Sequence, residues 1–479
     1  MRRSVAKVLL PSISLAAVAV AGFWTARPAS AEQPPNIVVF FSDNLGYGDT
    51  GPYGSTLHRT PNLDQMAQEG RKFTHFYTSG NVCTQSRAGL MTASYAQRVS
   101  LYQNIRNGAV LQPGEPIGLH PEEVTVAEIL KQAGYATMLV GKWHLGDQPV
   151  FLPTRQGFDE YWGVPYSDDM TPREGQNWPP LPLMRGEEVI EAPVDRDELT
   201  RREAEEAIRF ITEKKDEPFF LVVSHAMPGS TKTSFASEAF RGRSKNDRYG
   251  DAIEELDWAA GEVMGALERL GLDDDTLVIW TADNSAAPGR GGTNEPLTGF
   301  YNATQEGGFR VPFIARWPGR VPAGTECAEL GTMMDLLPTF ASLANVQTPE
   351  DRTIDGKDIW PLISGEEGAR TPHEAFYYYQ YEQLQAVRSG PWKLFLPLER
   401  QRRGASAEPK VVDSPPRLYN VVEDPAEERD VVAEHGDVVD RLLGLAEAGR
   451  RELGDMGVQG EGVRPAGWVF QPQVLRLSE

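Results

Sequence analysis

After Pro34-Pro35 the chain runs Asn36-Ile37-Val38-Val39-Phe40-Phe41, almost unbroken in apolar and β-branched residues. A strand with one wet face would alternate; this run predicts a strand buried on both faces of a parallel sheet. Residues 136–140, 219–223 and 276–280 have the same character and predict three more such strands. Helical patterns fall between them. Thr125 and Glu128 have the spacing of a capping box ahead of Ile129-Leu130, and Gly134 follows where that helix would stop. Between residues 249 and 270, apolar side chains at Ile253, Leu256, Val263, Met264, Leu267 and Leu270 make one stripe of a helix that Gly271 ends.

Strands alternating with helices predict an α/β fold: a mostly parallel central sheet flanked by helices. Beyond residue 345 the pattern shortens. Residues 376–379, 385–387 and 392–395 predict short strands, residues 438–453 a charged helix capped by Asp437, and the Arg-, Pro- and Ser-rich residues 399–416 a surface loop. We therefore expect a larger domain over 35–345 and a smaller C-terminal α+β subdomain with an antiparallel sheet over 346–479. A chain of 479 residues is long enough for both.

In open α/β sheets ligands gather outside the carboxyl ends of the strands. All four predicted strands end on polar groups: Ser42-Asp43-Asn44, Gly141-Lys142-Trp143-His144, Ser224-His225 and Ala282-Asp283-Asn284. One polar end is ordinary, since loops are polar; four that converge on one rim make a site. Asp43, Asn44, Asp283 and Asn284 supply side-chain oxygens of the kind calcium takes, although Asp and Asn are also common turn and cap residues. Cys83 opens the run Cys83-Thr84-Gln85-Ser86-Arg87, followed by helix-compatible Ala88-Gly89-Leu90-Met91. A nucleophile or anion at a helix start is stabilised by free N–H groups and the dipole, with Arg87 one turn later. A buried structural cysteine is the alternative.

Composition narrows the partners. Formal charge is -21, a surface that excludes nucleic acid and anionic lipid. Arg2, Arg3 and Lys7 precede an apolar stretch over residues 8–24 that ends in Ala29-Ser30-Ala31. That order predicts a cleaved export signal over residues 1–31 and a periplasmic or extracellular location. The stretch is short and broken by Pro11, so no stable membrane anchor is expected, and Arg2-Arg3 leaves a twin-arginine route open. Loss of those residues removes four basic groups and leaves -25. Cys83 and Cys327 are too few for a disulfide framework, though a single pair stays open.

The ordered motifs resemble the type I, arylsulfatase A-like sulfatases of the alkaline-phosphatase-like superfamily. They include Asp43-Asn44-Leu45-Gly46-Tyr47-Gly48-Asp49, Thr60-Pro61-Asn62, Cys83 to Arg87, Gly141-Lys142-Trp143-His144-Leu145-Gly146, Asp283-Asn284 and Glu306-Gly307-Gly308-Phe309-Arg310. The resemblance implies hydrolysis of sulfate esters through a formylglycine made from Cys83 by a formylglycine-generating enzyme. It also implies calcium held by Asp43, Asn44, Asp283 and Asn284, with Arg87 and His144 orienting the nucleophile and Lys142 on the sulfate of a small molecule or glycan.

Several positions depart from the family pattern. Asn44 stands where a second aspartate is usual, Gln85 where Pro or Ala is, and Thr92-Ala93-Ser94 where Thr-Gly-Arg is. Gly229 replaces a histidine and Tyr301 a sulfate-binding lysine; His225 is the candidate substrate-binding imidazole in their stead, with a structural neighbour just after its strand as the alternative. Each missing group is expected to cost roughly 3 kcal/mol of transition-state stabilisation, about a hundredfold. Three functions remain open: sulfate ester hydrolysis, the sibling cleavage of phosphate or phosphonate esters, and a degenerate homologue that binds sulfated glycans without turnover.

Overall fold

A computed structural model of the chain describes residues 34–401 and 410–477; the expected export signal at 1–31 lies outside them. Pro34–Glu479 forms one compact unit. Its centre is an eleven-stranded mixed sheet. The four strands read from unbroken apolar runs are its adjacent middle members: Thr276–Ala282, Asn36–Ser42, Phe219–Ser224 and Ala136–Gly141, all parallel. Every residue in them is buried, which is why none shows the alternation of a strand with one solvated face. The flanks are mixed, with antiparallel pairs on both sides. Arg310–Arg316 pairs with both Thr276–Ala282 and Arg71–Tyr77 on one side, and Leu183–Arg185 closes onto Glu160–Gly163 on the other.

Helices cover both faces. The predicted capping box forms: Glu128 N–H donates to Thr125 Oγ1 at 3.2 Å and Thr125 N–H to Glu128 Oε2 at 2.8 Å, opening helix Val126–Gln132. Helix Asp247–Leu270 ends at Gly271 in the left-handed region, φ +69°, where a residue without Cβ is unstrained.

A four-stranded antiparallel sheet over Phe376–Gln380, Gln383–Ser389, Trp392–Phe395 and Arg417–Asn420 packs with helix Gly436–Leu453. Asp437 does not cap that helix; it lies in its first turn and His435 takes the cap position without a side-chain bond. Nor are residues 399–416 all loop, because Leu398–Gln401 and Lys410–Ser414 pair as an antiparallel ribbon. Tyr77, Phe309 and Met334 share one apolar cluster with Phe376, Tyr378 and Leu442, so the second sheet is packed into the first body rather than tethered to it. Buried Glu306 pins this junction. Its carboxylate accepts from Tyr77 Oη at 2.5 Å, Tyr378 Oη at 2.7 Å and Lys393 Nζ at 3.1 Å. Both cysteines are free and buried, so no disulfide joins them. Among the described residues, no helix is long and apolar enough to cross a membrane.

Candidate active site

The ends of the four central strands close around the start of helix Cys83–Thr92. Cys83 is its first residue, and Val82 before it, in extended conformation, supplies no side-chain cap. The first-turn N–H groups are therefore left to whatever occupies the site. Cys83 Sγ–H donates to Asp43 Oδ1 at 3.3 Å. One oxygen each of Asp43 and Asp283 lies with that sulfur in a buried group whose atoms are within 4.8 Å of one another.

Two cations balance the two carboxylates. Lys142 Nζ donates to Asp43 Oδ1 at 2.8 Å and to Ser167 Oγ at 3.3 Å. Arg87 Nε donates to Asp283 Oδ2 at 2.9 Å, and its Nη1 to the Lys142 carbonyl at 2.7 Å and Ser224 Oγ at 2.6 Å. Burial alone pushes the Asp43 carboxyl up, but Lys142 and Arg87 outweigh it and hold the group below the usual range. Burial and then the Asp43 charge push Asp283 up. A pair of anions this close is stable only because each has its own cation.

The asparagines complete the oxygen set. Asn44 N–H donates to Asp283 Oδ1 at 3.1 Å, its Nδ2 to Gly229 O at 3.2 Å and Ser230 Oγ at 2.9 Å, while Asn284 Nδ2 donates to Asn44 Oδ1. Asn284 Oδ1 is buried without a partner. Asn44 and His144 both sit in the left-handed region, at φ +60° and +65°, a strained conformation for residues with a Cβ that collects at functional sites.

His144 has a fixed tautomer. Its Nε2 lies 3.0 Å from the Leu111 carbonyl, which can only accept, so Nε2 carries the proton and Nδ1, buried and without a partner, keeps its lone pair. Burial, then Lys142 and Arg87, hold this imidazole well below its ordinary pKa and therefore neutral.

His225 does not join the group. Successive strand residues face opposite sides of a sheet, and the His225 ring stacks on Phe40, centroids 6.2 Å apart, while Arg87 covers Phe41. Its Nδ1 pairs with buried Glu203 of helix Leu199–Lys214 at 2.7 Å. The expected substrate ligand is thus a buried partner of that helix.

Beside Gly229 lie two hydroxyls, Ser230 and Ser167, that sequence reasoning overlooked. Gly229, at φ +88°, donates its N–H to the Asp43 carbonyl at 3.1 Å. Ser230 Oγ, bonded to the Asn44 amide, also meets Ser167 Oγ at 3.1 Å, and Ser167 in turn accepts from Lys142. Two serines thereby connect Asn44 to Lys142. Tyr301, where the resemblance implied a lysine, is half-buried; burial, then Cys83, push its phenol up, so it presents a neutral O–H. Gln85 donates to the Tyr102 carbonyl at 2.7 Å, away from the carboxylates. Ala93 takes φ +54° at the helix end, a conformation better suited to glycine.

Known proteins match this arrangement at the level of sequence and fold. The sulfatase family model matches residues 35–346, and the model of the C-terminal region of aryl-sulfatase matches residues 371–462. The chain is 39% identical to N-acetylgalactosamine-6-sulfatase of Canis lupus familiaris over 382 residues, 76% of this chain and 72% of that one. It is 38% identical to arylsulfatase A of Homo sapiens over 430 residues, 82% and 83% of the two chains. Among solved structures, Ps i-CgsB in complex with k-i-k-neocarrahexaose superposes with a TM-score of 0.75 at 28% identity, covering 87% of this chain and 92% of that one. A match that runs through helix Cys83–Thr92, the strand-end carboxylates and the second sheet alike leaves one conclusion: the chain belongs to the sulfatase family.

Proposed function

We propose that the chain hydrolyses sulfate esters of carbohydrates after Cys83 has been oxidised to formylglycine by a formylglycine-generating enzyme, with calcium held at Asp43, Asn44, Asp283 and Asn284. The export expected of residues 1–31 belongs to the same reading, as does the choice of carbohydrate, which follows the names of relatives such as N-acetylgalactosamine-6-sulfatase. The observation that carries it is the position of Cys83 Sγ, at a helix start and 3.3 Å from Asp43 Oδ1. As a thiol it is a poor nucleophile, because burial and then Asp283 and Asp43 push its pKa well up and the thiolate is the reactive form. A side chain placed among carboxylates yet unable to ionise suits a residue destined for modification.

The oxygen donors fit calcium: two buried carboxylates and two amides, one of which, Asn284, has its Oδ1 buried without a partner. Bound calcium supplies Lewis-acid polarisation of the ester oxygens and offsets negative charge on the nucleophile. The chain's own side chains do the rest. Arg87 fixes Asp283, and Lys142, within reach of both Asp43 and Ser167, can turn toward an incoming sulfate. His144 Nδ1 is a neutral acceptor available to take a proton from the nucleophile and return it to the leaving oxygen.

A second reading, binding of sulfated glycans without turnover, is favoured by the serine bridge at Gly229 and the neutral Tyr301. Mass spectrometry of the Cys83 peptide from protein made in its own host, together with sulfate release from 6-sulfated N-acetylgalactosamine, separates the two. The aldehyde with released sulfate supports hydrolysis; an unmodified thiol without release overturns it.

A further inference from the structure

The C-terminal sheet turns a polar face toward the segment that carries Cys83. Gln380, Gln383 and Gln385, on neighbouring strands of one hairpin, are only 2%, 3% and 4% exposed. Buried amides are costly unless hydrogen-bonded, and these are held. Gln380 Nε2 donates to Asn302 Oδ1 at 2.8 Å, Gln385 Nε2 to Gln383 Oε1 at 2.8 Å, and Thr304 Oγ1 to Gln385 Oε1 at 3.0 Å. Beside them opens a cavity of about 450 Å³ lined by Asn302, Gln305, Gln380, Gln385 and Arg417, within the usual size range of small-ligand sites.

This cavity is bonded to the nucleophile's segment. Asn81, two residues before Cys83, donates its Nδ2 to Gln380 Oε1 at 2.8 Å and to the Ala303 carbonyl at 3.1 Å, and its own carbonyl accepts from Asn302 N–H at 2.9 Å. Asn81 Oδ1 is buried without a partner. Primary amides offer donors and acceptors together, as sugar hydroxyls require. Among the described residues of the lining Ala303 alone is apolar, a surface that suits a hydroxylated ligand better than a sterol or an aryl group. Arg417 is exposed at the rim, its guanidinium carbon 4.7 Å from the Phe395 ring centroid. Stacking and a bond from its Nη1 to Tyr419 Oη at 3.3 Å fix its plane, and the guanidinium has further N–H groups with which to meet an anion.

We propose that this cavity receives the sugar adjoining the sulfated one, and that this neighbour carries an anionic group, a carboxylate or a second sulfate, paired with Arg417. The proposal rests on the carbohydrate sulfatase reading but is tested without turnover. Isothermal titration calorimetry on the full chain uses three disaccharides lacking the cleavable sulfate: one with a hexuronate, one with a sulfate on the adjoining sugar, and one neutral. The anionic probes are expected to bind more tightly than the neutral one. Arg417→Gln should weaken whichever anion the site takes by about fivefold, the size of an exposed ion-pair contact, and leave the neutral probe unchanged; Gln305→Ala should weaken all three. The probe that depends most on Arg417 identifies the anion. Equal affinity for neutral and anionic probes, indifference to Arg417→Gln in a variant that unfolds at the wild-type temperature, or no binding of any probe overturns the proposal. Binding without sulfate release overturns turnover alone, whereas release without anionic preference overturns the cavity assignment alone.

Discussion

Replacing Glu306 by Ala removes the carboxylate that joins the two sheets. Glu306 is fully buried and accepts from Tyr77, Tyr378 and Lys393, with Arg310 Nη1 at 3.7 Å. Breaking a buried pair by deleting one partner costs about 3–5 kcal/mol, because the remaining charge is left in a low-dielectric site. Here Lys393 keeps a second partner, Glu427 Oε1 at 2.9 Å, which places the ion-pair loss at the lower end, near 3 kcal/mol. The two tyrosine hydroxyls lose their acceptor at about 1 kcal/mol each. Four to five kcal/mol divided by an unfolding entropy of about 1 kcal/mol/K for a chain of this length gives a melting temperature lowered by about 4–5 °C. Differential scanning calorimetry at neutral pH reads this directly, with Glu306→Gln, which keeps an acceptor, losing less. A Glu306→Ala protein that melts within 1 °C of wild type would refute the view that this carboxylate clamps the sheets.

His144→Ala should lower sulfate release by about 10²–10⁴ in modified enzyme; a loss below tenfold would remove His144 from the proton path. Gly141→Ala would put a Cβ 2.0 Å from the Ser224 carbonyl at φ +103°, displacing the strand end that carries Lys142, so a loss of about 2–4 kcal/mol is expected in chemical unfolding. Burial pushes Glu115 to about 7 and Asp147 and Asp257 to about 6. The folded chain therefore binds these protons more tightly than the unfolded one, and their contribution, full below the ordinary carboxylate range, is lost as pH rises through 6 and 7. The melting temperature should fall between about pH 5 and pH 7.5, and Asp257→Asn should reduce the slope; an unchanged slope would contradict the assignment.

The middle of the sheet was legible because strands buried on both faces must be apolar throughout, and their polar ends then had one rim to occupy. Its flanks were not. Arg71–Tyr77 mixes Arg, Lys, Thr and His with aromatics, and Arg310–Arg316 follows closely on the glycine pair Gly307-Gly308 and is broken by Pro312. The amide face of the second sheet was hidden for another reason: strands at 376–379 and 385–387 are expected, but glutamines in a strand read as its solvated face, whereas Gln380, Gln383 and Gln385 are buried. His225 shows the limit of strand-end reasoning: position along a strand does not give the face. Parity does, because His225 shares the side of Val223, whose register partner is Phe40, and the i, i+4 pair Leu199 and Glu203 on a buried helical stripe was the available sign of its partner.

Calcium-dependent thermal stability tests the central claim most directly. If the Cys83 helix start and the strand ends at Asp43 and Asp283 form one cation pocket, calcium at about 100 times its dissociation constant adds roughly 2.7 kcal/mol. Against an unfolding entropy of about 1 kcal/mol/K this raises the melting temperature by about 3 °C over chelator-treated protein, and Asp283→Asn should abolish the rise. An identical melting temperature with and without calcium, or a rise that survives Asp283→Asn, would contradict the account.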